Sequence, residues 1–202
     1  LAAMHIVNRM VCLLSLCVMT ASVAAADRQD YDAALASWTR TLEQFVDEQG
    51  RTDFEKLADN PASLRNFVQF IEKTSPASQP ELFTSPAEIL AYHINAYNAL
   101  AMFGVISEGI PSDFDSFFKR WRFFKLRSVV IGGEETSLQD YENNIIRPLG
   151  EPRIHFVLNC MVRDCPRLPM QPFFAETLEQ QLAHATLAFF NTHKHLRLDA
   201  DK

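Results

Sequence analysis

Positive charge is scarce in this 202-residue sequence, which also has few cysteines and few long apolar runs. Nineteen lysines and arginines stand against 25 aspartates and glutamates, which gives a net charge of −6. This balance argues against nucleic acid or an anionic membrane as the main partner. No second apolar span, internal repeat or low-complexity linker follows the N-terminal region. We therefore predict one soluble domain with no integral membrane span in the mature chain.

The N-terminus has the features of a secretory signal peptide. Arg9 precedes an apolar run, Met10 to Thr20, and Ala24-Ala25-Ala26 then forms an A-x-A cleavage site. We predict a signal peptide over residues 1–26 and a single globular domain over residues 27–202. Cleavage near Ala26 would remove Arg9 and leave a net charge of −7. The expected location is the periplasm or the extracellular space; a buried N-terminal helix is the less favoured alternative.

Hydrophobic periodicity predicts an α+β fold that is mainly helical, with a central buried helix and a small sheet. Helices are predicted over 28–48, from Asn60-Pro61, from Ser85 to about Ile106, over 112–120, from Ser137 to before Pro148 and over 173–192. Strands are predicted over Leu126–Ile131, Ile154–Leu158 and from Leu196. The helix after Ser85 is apolar nearly all round, so it is expected to be the buried one. Gly132-Gly133 predicts a turn after the first strand.

A polar strip marks this central helix. Glu88, Asn95 and Asn98 fall within one narrow arc, and the rest of the circumference is apolar or aromatic. The amides either line a pocket, or they hydrogen-bond to the backbone of neighbouring loops. The second interpretation is favoured. His93 lies off the strip and is expected to be a packed histidine rather than a ligand.

Residues Phe117 to Arg127 alternate cations with aromatics. One interpretation is a patch for a membrane surface or an anionic ligand. The other is a short amphipathic helix that runs into a strand, with its aromatics inward and its cations outward. The acidic balance of the chain favours the second.

Cys160 and Cys165 are the cysteines that remain after cleavage, and three chemistries compete for them. An even number of cysteines in an oxidising compartment favours a disulfide. A zinc site needs four ligands, and His155 with the two cysteines supplies at most three. A nucleophilic thiolate needs a nearby base, for which His155 is a candidate, and Arg163 is a source of positive charge.

Three ordered segments resemble the domain-of-unknown-function 547 family. They are "INAYNAL" from Ile94, "IGGEETSLQDYENNIIR" from Ile131, and "PRIHFVLNCMVRDCPRL" from Pro152. The resemblance covers about residues 85–195, and it implies that the domain is incomplete at its C-terminus. It assigns no activity. It maps the family's recurring polar residues to Asn95, Asn98, Glu142, Arg153, His155, Cys160 and Cys165.

The predicted function is that of a secreted, disulfide-stabilised binding or structural module. Cys160–Cys165 would hold a loop over the strip of Asn95 and Asn98, and its partner would be an unknown small molecule or protein. The alternative is a cysteine-dependent hydrolase or acyltransferase. Its catalytic residues would be Cys160 as nucleophile, His155 as base and Asn95 or Asn98 as orienting group or oxyanion donor. The binding pocket would be lined by Asn98, Glu142, Arg153 and Cys165. No metal or cofactor is predicted.

Overall fold

The computed structural model describes residues 27–111, 117–161 and 165–191. Its α-helices are α1 (27–45), α2 (Phe54–Asp59), α3 (Ala62–Lys73), α4 (Pro86–Ser107), α5 (Phe117–Leu126), α6 (Leu138–Tyr141) and α7 (Leu178–Phe190). Strands β1 (Ser128–Ile131) and β2 (Glu134–Ser137) form an antiparallel hairpin. A π-helical turn covers Glu142–Ile146, and 3₁₀ turns cover Pro80–Leu82, Arg147–Leu149, Pro152–Phe156 and Ala175–Thr177. The predicted class, mainly helical α+β with a small sheet, is confirmed.

Helix α4 is the centre of the fold. It begins at Ser85, as predicted, with a capping box: the Glu88 N–H donates to Ser85 Oγ and the Ser85 N–H donates to Glu88 Oε2. Every residue from Leu90 to Met102 is buried. Among the described helices, α4 is long and apolar enough to cross a membrane, yet 83% of its most apolar window is buried inside the protein. It is therefore a core helix here, as predicted.

Helices α1 and α3 cover one side of this core through aromatic contacts. Trp38 of α1 stacks on Phe67 of α3 with ring centroids 5.6 Å apart and planes 12° apart. Tyr31 contacts Phe70 in the same pair of helices at 5.7 Å. The apolar face of α3 is buried against this core, with Leu64, Phe67, Val68 and Ile71 at helical spacing.

The hairpin docks onto the end of α3 through its turn. Gly132 and Gly133 both have positive φ, 60° and 90°, which suits the tight turn that joins two antiparallel strands. Their N–H groups donate to the carbonyls of Ile71 and Glu72, each at 2.8 Å. These two bonds satisfy carbonyls in the last turn of α3 that would otherwise lack partners. The predicted glycine turn thus also caps a helix.

The strand predicted over Ile154–Leu158 is wrong, because this segment begins inside the 3₁₀ turn Pro152–Phe156. Its buried residues are Ile154, Val157 and Leu158, and this spacing of three and four is helical rather than alternating. Glu151 caps the turn by accepting from the Arg153 N–H, and Pro152 occupies its first position.

Other boundaries shift by a few residues. The described part of helix α5 covers Phe117–Leu126, past the predicted end at 120, so β1 starts only at Ser128; residues 112–116 lie outside the described part. The predicted helix over 173–192 consists of a 3₁₀ turn followed by α7. In α5 the aromatics do not all face inward, since Phe123 is buried but Trp121 is 42% exposed. The strand predicted from Leu196 lies outside the described residues.

The hairpin turn provides a stability test. A Cβ added to Gly132 would lie 2.2 Å from Ser75 Oγ, whereas one added to Gly133 meets nothing within 4 Å. Both substitutions place a side chain at positive φ, which costs about 1 kcal/mol. We expect Gly132→Ala to lower the free energy of unfolding by at least about 1 kcal/mol more than Gly133→Ala, because of the added clash. Denaturant unfolding of the two variants measures this difference. Equal losses of unfolding free energy would contradict the close packing of Gly132 against Ser75.

Candidate functional site

Asn95 on α4 holds the segment that leads into α7. Its Nδ2 donates to the carbonyl of Phe173 at 2.8 Å, and its Oδ1 accepts from the Phe173 N–H at 2.9 Å. One side-chain amide therefore satisfies both backbone groups of a residue 78 positions away. Trp38 Nε1 donates to the same Oδ1 at 3.2 Å, which ties α1 to this point as well. The buried amide has partners for its oxygen and its nitrogen.

Asn98, one turn further along α4, holds the segment before the cysteines in the same way. Its Nδ2 donates to the Val157 carbonyl at 2.9 Å, and its Oδ1 accepts from the Asn159 N–H at 2.8 Å. These are the backbone groups that flank Leu158. The interpretation favoured from the sequence, in which the amides bind loop backbone, describes this geometry.

Asn159 continues the network into the cysteine loop. Its Nδ2 donates to the Pro166 carbonyl, and its Oδ1 accepts from the Met161 N–H, both at 2.6 Å. Cys160 and Cys165 form a disulfide with Cα atoms 5.8 Å apart. The disulfide and the Asn159 amide thus join the same two ends of the loop. We refer to Asn95, Asn98 and Asn159 together as the asparagine clamp.

The predicted base His155 and the predicted pocket residue Arg153 lie on the 3₁₀ turn just before this loop. Arg163 lies outside the described residues. His155 is exposed, and none of the described residues forms a hydrogen bond with its ring. Arg153 forms ion pairs with Glu151 at 2.7 Å and with Glu179 of α7 at 2.6 Å. Arg153 therefore anchors the turn to α7.

Glu142 begins the π-helical turn and joins two other elements. Its Oε2 accepts from the Tyr97 hydroxyl of α4 at 3.4 Å, and Oε1 pairs with Arg147 at 2.8 Å. Burial raises the pKa of Tyr97, so its phenol stays protonated and donates. Turns of this π type occur often at functional sites, but here the carboxylate links α4 to the chain after α6.

Of the predicted pocket residues, Asn98 lies close to the cysteine loop. Glu142 instead binds Tyr97 and Arg147, and Arg153 binds Glu151 and Glu179. Asn159 was missed in the sequence analysis. Its position between an apolar run and Cys160 was a usable signal, because an asparagine at the end of a buried segment needs hydrogen-bond partners. The hydrogen bond from Trp38 to Asn95 was not predicted either.

His93 is packed rather than available to a ligand. Its Nδ1 lies 2.6 Å from the hydroxyl of the buried Tyr141. Burial lowers the pKa of His93 to about 4 and raises that of Tyr141, so the neutral imidazole accepts from the phenol. The proton of the ring is then on Nε2.

The chemistry available to this site is that of a satisfied polar network. In the described part of the chain, no buried side-chain nitrogen or oxygen lacks a hydrogen-bond partner. No group of three or more His, Cys, Asp or Glu among the described residues has the arrangement to hold a metal ion. The amides, the disulfide and the ion pairs instead fix the backbone between the 3₁₀ turn at Pro152 and α7.

Comparison with known protein families gives a match. A family model described as "Protein of unknown function, DUF547" matches residues 82–190, more than half of the chain. The matched segment contains α4, the hairpin, the cysteine loop and all of α7. No curated protein and no solved structure matches the chain.

The buried His93 predicts a loss of stability in acid. The unfolded chain binds a proton as the pH falls through about 6.5, whereas the folded protein binds it only near pH 4. The contribution of neutral His93 to the free energy of unfolding is therefore complete above pH 6.5. It is lost as the pH falls towards 4, by about 3 kcal/mol in total. Denaturant unfolding of the wild type and of His93→Gln between these pH values measures it.

We expect the wild-type free energy of unfolding to fall more steeply with decreasing pH than that of His93→Gln. The exposed His184→Gln is the matched control for the loss of a histidine. Identical pH slopes for the wild type and His93→Gln would contradict the packed, neutral state.

Proposed function

The chain belongs to the DUF547 family, whose function is unknown, and we propose that it is a secreted or periplasmic, disulfide-stabilised binding or structural module. The observation that carries this proposal is the commitment of the asparagine clamp to loop backbone. A catalytic amide must be free to bind a substrate or orient a base. Asn95 and Asn98 instead each bind both a carbonyl and an N–H of the chain.

The disulfide supports the same proposal. A bond between Cys160 and Cys165 persists in an oxidising compartment, and the N-terminal pattern of residues 1–26 is that of a signal peptide. The bond reinforces the contacts of Asn159 across the same loop. Together they hold the loop surface in one conformation, which lowers the entropic cost of binding a partner there.

The partner is a small molecule or a protein rather than nucleic acid. The net charge of −6 disfavours the phosphate contacts that dominate nucleic-acid binding. No integral membrane span is proposed for the mature chain, because the long apolar helix α4 is covered by protein.

The cysteine-dependent hydrolase or acyltransferase is the competing proposal. It requires a free Cys160 thiolate, with His155 close enough to take its proton. It also requires Asn95 or Asn98 to release its backbone partners. The oxidation state of the two cysteines therefore separates the two proposals.

We expect mature protein purified from the periplasm to have the intact mass of residues 27–202 and no free thiol. After denaturation and alkylation, two cysteines should be labelled only if a reductant is added first. Reduction should lower the free energy of unfolding by about 2 kcal/mol, the chain-entropy value for so short a loop. The double variant Cys160→Ser/Cys165→Ser is the control and should show no effect of reductant.

Two thiols that are labelled without reductant would overturn the module proposal. One of them reacting rapidly with an electrophile at neutral pH would move the hydrolase proposal to the front.

A further inference from the structure

A polar cavity of about 460 Å³ lies between the first turn of α1 and the outer face of α3. Its walls include Asp27 and Asp30 of α1 and Asn66, Gln69, Phe70 and Lys73 of α3. The volume falls in the range of small-ligand sites. The cavity lies before residue 82, outside the segment that the family model matches and apart from the cysteine loop.

The α3 wall is one regular face of the helix. Asn66, Gln69, Phe70 and Lys73 follow the spacing i, i+3, i+4 and i+7, so their side chains share one side. The opposite side of α3 is buried in the core, which fixes the direction of this face. Phe70 is half-buried and rests on Tyr31 at 5.7 Å, so its ring provides a held apolar surface among polar groups.

The carboxylate, amide and ammonium side chains that line this cavity on α1 and α3 have no partners among the described residues. Within the described residues, the side chains of Asn66, Gln69 and Lys73 make no hydrogen bond or ion pair, and neither do those of Asp27 and Asp30. This is the reverse of the asparagine clamp, where every amide is bound to backbone. Gln79 adds a further carboxamide to the wall.

The carboxylates, amides, lysine and aromatic ring that line the cavity determine which class of ligand it can bind. A strongly anionic ligand would meet two carboxylates and one lysine, which disfavours it. An apolar ligand would leave the amides and carboxylates desolvated without partners. A polyol suits the wall, because each hydroxyl both donates and accepts, as the carboxamides do. The aliphatic face of a sugar ring also has an apolar surface that can lie on Phe70.

We propose that this cavity binds a neutral saccharide. Hydroxyl groups donate to Asp27 or Asp30, and they accept from the carboxamide nitrogens of Asn66 and Gln69. One face of the sugar ring packs on Phe70. This binding does not depend on the disulfide, so its failure and the failure of the module proposal are separate results.

Saturation-transfer NMR on the purified full-length mature protein tests the proposal, with glucose and N-acetylglucosamine as probes and inorganic phosphate as the anionic control. We expect at least one sugar to bind with a dissociation constant on the order of millimolar, because the cavity is open to water. The double variant Asn66→Ala/Gln69→Ala should weaken binding roughly tenfold or more, through the loss of two hydrogen-bonding side chains. It should not lower the thermal midpoint, since both residues are exposed and alanine favours the helix.

The matched control is Gln180→Ala, which removes an exposed carboxamide from α7. It should not change sugar binding. Three results would overturn the proposal: neither sugar binds at tens of millimolar, on the order of ten times the expected constant; binding survives Asn66→Ala/Gln69→Ala; or phosphate binds more tightly than either sugar.

Discussion

Two asparagines in the buried stretch of α4, Leu90–Met102, impose the main constraint on this fold. An amide in the core is costly unless both its oxygen and its nitrogen are hydrogen-bonded, and the apolar neighbours of Asn95 and Asn98 on α4 offer nothing. The partners come from backbone that is 59 to 78 residues away in sequence. The irregular chain between Pro152 and α7 therefore takes one path, because its carbonyls and N–H groups must reach α4.

The same constraint explains where prediction from sequence succeeds and where it fails. Local signals give α3, the start of α4 at Ser85, the glycine turn and the burial of α4, since each depends on residues within a few positions. The segment Ile154–Leu158 was assigned the wrong structure because its apolar residues fit both a strand and a helical turn. What decides between them is Asn98, which binds the backbone groups that a neighbouring strand would otherwise bind. The hydrogen bonds between Asn98 and this segment produce no periodic pattern in the sequence.

The candidate site shows the same division. The sequence identified Asn95 and Asn98 as a buried polar strip and favoured loop backbone as their partner, but it could not name Phe173 or Asn159. The pairing of Cys160 with Cys165 was one of three open chemistries. The buried asparagines within residues 82–190 bind backbone and hold the chain together, whereas the amides and carboxylates of the cavity beside α3 have no partner among the described residues. This contrast separates the scaffold of the molecule from a surface that is available for binding.

Hydrogen exchange of the backbone amides of Asn159 and Phe173 tests the central role of α4 most directly. Both N–H groups lie in irregular chain, and both donate to an asparagine of α4. If Asn95 and Asn98 hold these two segments, we expect both amides to exchange as slowly as the core amides of α4, through global unfolding. Exchange as fast as that of exposed turns would mean that the asparagines of α4 do not hold these segments.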